Sequence, residues 1–332
     1  MQFERVLRSV FGEPWAILPS KLAVIADLVR FRAAGGHLTA AEIQDRIGAA
    51  VQQRPTAMRG GAVAVLPLHG VIHQRMNLMS EMSGGTSTEM FAQSFRAAMA
   101  DDAIRAIVID VDSPGGGVYG VDELAAEILR ARGSKRVVAV ANSLAASAAY
   151  YIASAAEEVV VTPSGEVGSI GVFTAHQDLS KAAEAEGVKT TLIAAGKYKV
   201  EGNPFEPLSD EARAELQSRV DAYYGLFVAA VARGRNVTAA QVRGGFGEGR
   251  VVGAREAVRL GMADRVGTLD ETIGRLLGAR PAAGAGVRGL SSFEIHTEDD
   301  PEPVEDAVPL VALSAEANDA LYARERLRLL GA

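Results

Sequence analysis

Short apolar runs at residues 62–68, 104–110, 136–140, 158–162, 169–173 and 189–194 read as β-strands, because each is strand-length and bounded by Gly, Pro, Ser or Asp. Helical patterns lie between them. One is capped near Ser87 or Thr88, one covers 121–132, one starts at Ser147, one covers 179–186, and a long one covers 210–233. Strands alternating with helices at this spacing predict an α/β fold with a mostly parallel sheet and right-handed crossovers. Residues 249–277 add a short strand and further helices.

The flanks differ from this centre. Residues 1–52 read as an N-terminal helical extension, with Thr39 as an N-cap and Glu42 three positions on. Residues 53–61 (Gln-Arg-Pro-Thr-Ala-Met-Arg-Gly-Gly) read as a linker into a main domain over 62–277. Residues 278–313 read as a flexible acidic linker, Ala/Gly-rich at first and then carrying a run of acids. The last stretch, 314–332, places Ala317, Leu321, Leu327 and Leu330 among charges, the pattern of an amphipathic helix.

Composition narrows the function classes. The 332-residue chain is 48% hydrophobic with 35 glycines, enough to bury a large aliphatic core. Net charge is −7, and seven of the 41 acids fall between Phe293 and Asp306; the remainder balance the 34 basic residues. Such a body offers no electrostatic footprint for nucleic acid. With no cysteine, thiolate catalysis, disulfides and Cys-based metal sites are excluded. There is no H-E-x-x-H pattern, so neither metal nor cofactor is expected. The most apolar N-terminal stretch, 15–31, is interrupted by Pro19, Lys21, Asp27 and Arg30, and no membrane span is expected.

Two motifs carry the chemistry. Asp112-Ser113-Pro114-Gly115-Gly116-Gly117 follows a strand and offers backbone N–H groups unshielded by side chains. The second, 141–153, places Ser147 at the start of an Ala-rich helix, where the N–H groups of Ser147 and Ala148 lie outside the helix ladder. Singly, each is ordinary turn or core chemistry. Together they suggest a nucleophile beside an oxyanion hole, hence acyl transfer. For the base, His37, His69, His73 and His296 are poorly placed; His176, at a helix start, is the histidine candidate. Its rival is Lys199 in Gly196-Lys197-Tyr198-Lys199, a loop following an expected core strand, where desolvation would favour the neutral amine that can act as a base.

Taken in order, Asp112-Ser-Pro-Gly-Gly-Gly, Ala146-Ser147-Ala-Ala-Tyr-Tyr-Ile-Ala, Gly168-Ser169-Ile-Gly-Val and Gly196-Lys-Tyr-Lys199 resemble the signal peptide peptidase A family, especially its phage and prophage head-maturation branch. The resemblance spans roughly residues 60–270. It implies a Clp/crotonase-like spiral of ββα units and a serine endopeptidase with a Ser/Lys dyad. Ser147 matches the nucleophile, Lys199 the general base (Lys197 the alternative), and Ser169 the hydroxyl that orients the amine. Gly115 or Gly116, with the Ala148 N–H, matches the oxyanion hole. The resemblance further implies a ring-like homo-oligomer whose neighbours complete the dyad. Its substrates would be capsid or scaffold proteins, in a bacterial host cytoplasm or a phage prohead. Ala149 stands where the family often has Gly, which would narrow the groove. No N-terminal membrane anchor is read, which favours a soluble substrate over signal peptides. The rival readings are a Clp-type Ser147/His176 protease, a crotonase-like acyl-CoA enzyme and a non-catalytic capsid-assembly protein.

Overall fold

The computed structural model describes residues 13–33, 58–60, 62–75 and 85–278. They belong to one compact unit, Met1–Pro281; a second unit, Ala282–Ala332, lies outside the described residues, as do Thr39, His37, His296, the acidic run and the expected 314–332 helix.

In chain order the elements begin with β1 (Trp15–Ile17), α1 (Pro19–Ala33), β2 (Met58–Gly60), β3 (Val63–His69), β4 (Ile72–His73) and β5 (Thr86–Ser87). Next come α2 (Thr88–Ala100), β6 (Ala106–Ser113), β7 (Gly115–Gly117), α3 (Val121–Ala131), β8 (Arg136–Ala146), α4 (Ala148–Ser154), β9 (Glu158–Val161) and β10 (Glu166–Gly168). The chain continues with α5 (Ser180–Ala185), α6 (Asp210–Arg235), α7 (Ala239–Gly245), β11 (Val251–Gly253), α8 (Ala254–Leu260), β12 (Arg265–Val266) and α9 (Leu269–Leu276).

Two sheets result. The larger runs β11-β10-β8-β6-β3-β2, with β9 joining β8 and β12 joining β9; the smaller runs β1-β7-β4-β5. The centre of the larger sheet, β3-β6-β8-β9, is parallel. Its strands bury both faces, as a parallel sheet under helices must. Ile107, Ile109, Val137 and Ala139 point to the main core, where Phe91 and Phe95 of α2 and Leu124 and Ile128 of α3 lie. Alternate residues Val108, Val138, Val140 and Val160 form a second core packed against Leu269, Ile273 and Leu276 of α9. The period-2 alternation of a strand produces this two-sided burial.

The unit that repeats is a long strand in the larger sheet, a short strand in the smaller one, then a helix: β3-β4-α2, with β5 inserted, and β6-β7-α3. This is the ββα spiral that the family resemblance implied. A register shift between Val111 and Ser113 turns the chain from one sheet to the other, and so sets the glycine loop at their junction.

Four local expectations are corrected. The N-terminal region is not helical throughout: Trp15–Ile17 is a strand paired to the glycine loop. The expected linker over 53–61 contains β2, antiparallel to β3, because Met58-Arg59-Gly60 finds an open sheet edge. The strand expected at 169–173 falls earlier, at Glu166–Gly168, and only Phe173 keeps a bridge, to Trp15. The strand expected at 189–194 finds no ladder partner among the described residues; the stretch is exposed, with Ile193 98% accessible. Apolar and β-branched residues there satisfy a strand pattern, but a strand needs a neighbour.

Candidate active site

Ser147 sits between the end of β8 and the start of α4 in a backbone conformation, φ 56 and ψ −120, that side-chain-bearing residues seldom adopt. The contacts around it hold that conformation. Its N–H donates to Gly168 O at 2.7 Å, and its C=O accepts from Tyr151 N–H at 2.9 Å. The Ser147 N–H, read from sequence as available to a ligand, is therefore used by β10. Ala148 N–H, in the first helical turn with no intrahelical acceptor, is the donor left at this helix start.

Helix α4 is anchored at every turn. All seven of its residues are buried. Tyr150 Oη donates to Met262 O at 2.8 Å and Tyr151 Oη to Asp122 Oδ1 at 2.6 Å, while the Tyr151 ring stacks on Phe227 with centroids 4.6 Å apart. Burial and, for Tyr151, the Asp122 carboxylate push both phenol pKa values up, keeping them neutral donors. At the other end Arg132 donates to Ser154 O, Ala155 O and Ala156 O, closing the helix's free carbonyls, and to Gly234 O of α6. Ala149 is fully buried and belongs to the main core.

The glycine loop lies against the same serine. A β-carbon at Gly115, whose φ is +100, would collide with the Ala16 carbonyl oxygen and lie 2.9 Å from Ser147 Cβ. One at Gly116 would collide with the Ile72 carbonyl. Both positions thus require glycine through close backbone approach. Gly115 N–H donates to Ser113 Oγ at 3.2 Å, and that hydroxyl donates to Gly70 O at 2.6 Å. Gly116, which faces Ala16 of β1 across the ladder, is the loop donor of the two that is not bonded within the loop itself.

Ser169 is near Ser147 along the chain's path: it follows Gly168, which binds Ser147, and has its own positive φ of 53, held by Ser169 N–H donating to Arg250 O. The hydroxyl of Ser147 has Gly171 O at 3.5 Å.

The base candidates are placed otherwise. Lys199 is exposed on its loop, and its side chain has no hydrogen bond or ion pair among the described residues. Lys197 is engaged elsewhere, with Tyr198 Oη at 2.6 Å and Glu211 Oε1 at 3.1 Å, which pushes its pKa up. His176 Nε2 lies 3.0 Å from Asn203 O, His69 Nε2 is 3.1 Å from Asp110 Oδ2, and His73 is buried against Trp15. The structure therefore brings together Ser147, Gly115, Gly116, Ala148 and Ser169, and leaves Lys199 outside that cluster. Sequence reasoning missed Trp15–Ile17 as a wall of the site; the mixed Trp-Ala-Ile run before Pro19 was its signal.

Among the described residues no helix is long and apolar enough to cross a membrane. The description of peptidase family S49 matches residues 130–280. Capsid assembly protease C of Escherichia phage lambda is 37% identical over 204 residues, 61% of this chain and 46% of that protein. Protease 4 of Salmonella typhi is 30% identical over 65% of this chain and 34% of its own length. The chain thus spans less than half the length of either. A protease-named relative in Synechocystis sp. is 32% identical over 201 residues, covering 60% of this chain and 69% of that one. With the family's region containing the strained serine and its helix, and a relative matched over most of its length, the chain belongs to peptidase family S49.

Proposed function

We propose that this chain is a serine endopeptidase in which Ser147 is the nucleophile, Lys199 the general base and Ser169 the hydroxyl that orients the lysine amine. The observation that carries this reading is the strained Ser147 at a strand-to-helix junction, wedged against a loop where only glycine fits. In the reaction, Lys199 takes the Ser147 proton and the alkoxide attacks a peptide carbonyl. Gly116 and Ala148 N–H groups receive the oxyanion, the leaving amine takes the proton, and water hydrolyses the acyl-enzyme.

The exposed position of Lys199 favours a ring-like homo-oligomer in which the base comes from a neighbouring copy. The segment that carries it exposes Leu179, Val188, Leu192, Ile193 and Tyr198, and α5 within it buries nothing. That is an apolar surface waiting for a partner. The phage relative named for capsid assembly supports capsid or scaffold proteins as substrates, in a bacterial host cytoplasm or a prohead.

The test is hydrolysis of labelled casein. Ser147→Ala and Lys199→Ala should each lower kcat by about 10³-fold or more, and the double variant should be no worse than either, since the two act as a unit. His176→Ala should be unaffected. An active Lys199→Ala beside an inactive His176→Ala would replace this dyad with a Ser-His pair.

A further inference from the structure

The glycine loop has an occupant. Strand β1 lies antiparallel to β7, with Trp15 opposite Gly117, Ala16 opposite Gly116 and Ile17 opposite Gly115. Its other edge is paired too: Trp15 N–H donates to Phe173 O at 2.8 Å and Phe173 N–H donates to Trp15 O at 3.0 Å. Just beyond, Leu18 N–H donates to Pro114 O at 3.0 Å. An extended peptide held on both edges by backbone bonds is the way a peptide binds by strand addition.

The alternation of an antiparallel ladder decides which carbonyl faces the loop. Trp15 turns its N–H and C=O to Phe173, so Ala16 turns its own to Gly116. The Ala16 carbonyl oxygen therefore lies where the loop approaches Ser147 Cβ. A substrate strand laid along the same loop edge would present its own carbonyl to the same Gly116 N–H.

The side chains divide the same way. Trp15 and Ile17 pack on one face with Leu22, Ile25 and Val71. Ala16 belongs to the opposite core and lines a cavity of about 180 Å³ with Val118, Tyr119, Tyr151, Val172 and Phe227. Its methyl group leaves that apolar cavity unfilled.

We propose that residues 15–17 are an internal occupant of the substrate groove: Ala16 holds the place of a substrate's acyl residue, and a protein substrate presenting a larger apolar side chain there displaces it. This rests on the reading of Ser147 as nucleophile. The segment stays uncut because Lys199 is exposed on its loop and, among the described residues, the Ser147 hydroxyl has only a carbonyl, Gly171 O, within reach.

The full chain offers a clean test, since it has no cysteine and a single tryptophan, Trp15 itself. Trp15 and Gly117 face each other as a non-hydrogen-bonded pair, and a β-carbon at Gly117 meets nothing within 4 Å. Such pairs are close enough for a disulfide. The oxidised Trp15→Cys/Gly117→Cys protein should hydrolyse casein at least about tenfold more slowly than the same protein reduced. Equal rates in the two states would overturn the proposal. Should that double variant be inactive in both states while the wild type is active, Ala16→Leu decides. Filling the cavity should lower kcat/KM about tenfold with Trp15 still shielded from acrylamide, and an unchanged or higher kcat/KM overturns the proposal. If the wild type itself cleaves no casein, the peptidase reading fails and Trp15 reports alone. Shielded Trp15 fluorescence supports the seated segment; quenching like that of an unfolded chain refutes it.

Discussion

His73 holds a buried ring nitrogen, Nε2, with no hydrogen-bond partner among the described residues, and its ring stands edge-on to Trp15 at 5.9 Å between centroids. Burial alone pushes its pKa from 6.5 down to about 4. Between those values the unfolded chain binds a proton that the folded chain refuses. Stability therefore rises with pH across that window, and is lost as pH falls from 6.5 toward 4, by about 3 kcal/mol at the low end. Replacing the ring by an apolar side chain, His73→Leu, should flatten this dependence; thermal unfolding at pH 7 and pH 4.5 reads it. A wild-type Tm no lower at pH 4.5, after subtraction of the His73→Leu baseline, would refute the assignment. At this scale the small residues around Ser147, Gly115 and Gly116 made their close backbone approach legible in the sequence. It did not reveal that Ser147 N–H is taken by Gly168 O, because that bond depends on β10 pairing beside β8.

Helices α4 and α6 meet at a point that only glycine allows. A β-carbon at Gly234, in the last turn of α6, would collide with Ser154 O at the end of α4. Helix propensity favours Gly234→Ala by about 1 kcal/mol, whereas forcing two packed backbones apart costs about 1–3 kcal/mol. The collision should win, since the neighbour is backbone and is already bound by Arg132. Denaturant unfolding of Gly234→Ala should show a net loss, and any gain in stability would contradict the contact. The central strands were legible as apolar runs, and some helices carry side-chain caps, as at Ser87 and Ser209. The short strands β1 and β2 were not, because three residues carry no period and exist only through the neighbour that pairs them.

Among the described residues, one relation is unfilled within a single chain: the proposed nucleophile, Ser147, is buried at 1% accessibility, while the proposed base is exposed on a segment that buries little. The expected strand at 189–194 fits the same picture. Its residues have strand chemistry but no partner strand among the described residues, and an unpaired apolar segment is what a second copy would cover. If neighbours in a closed ring share sites, Ser147 of one copy works with Lys199 of the next. Subunit mixing then distinguishes a shared site from one built within a single chain. Inactive Ser147→Ala and inactive Lys199→Ala proteins, co-assembled in equal amounts, should form some interfaces holding both native residues. With random mixing, about a quarter of the interfaces would be of that kind, so casein hydrolysis should return to about a quarter of the wild-type rate. If both residues belonged to one chain, every copy in the mixture would lack one of them. No regained hydrolysis, in mixtures whose subunits are shown by native mass spectrometry to have exchanged, would place the dyad within one chain and require the 189–199 segment to fold back onto Ser147.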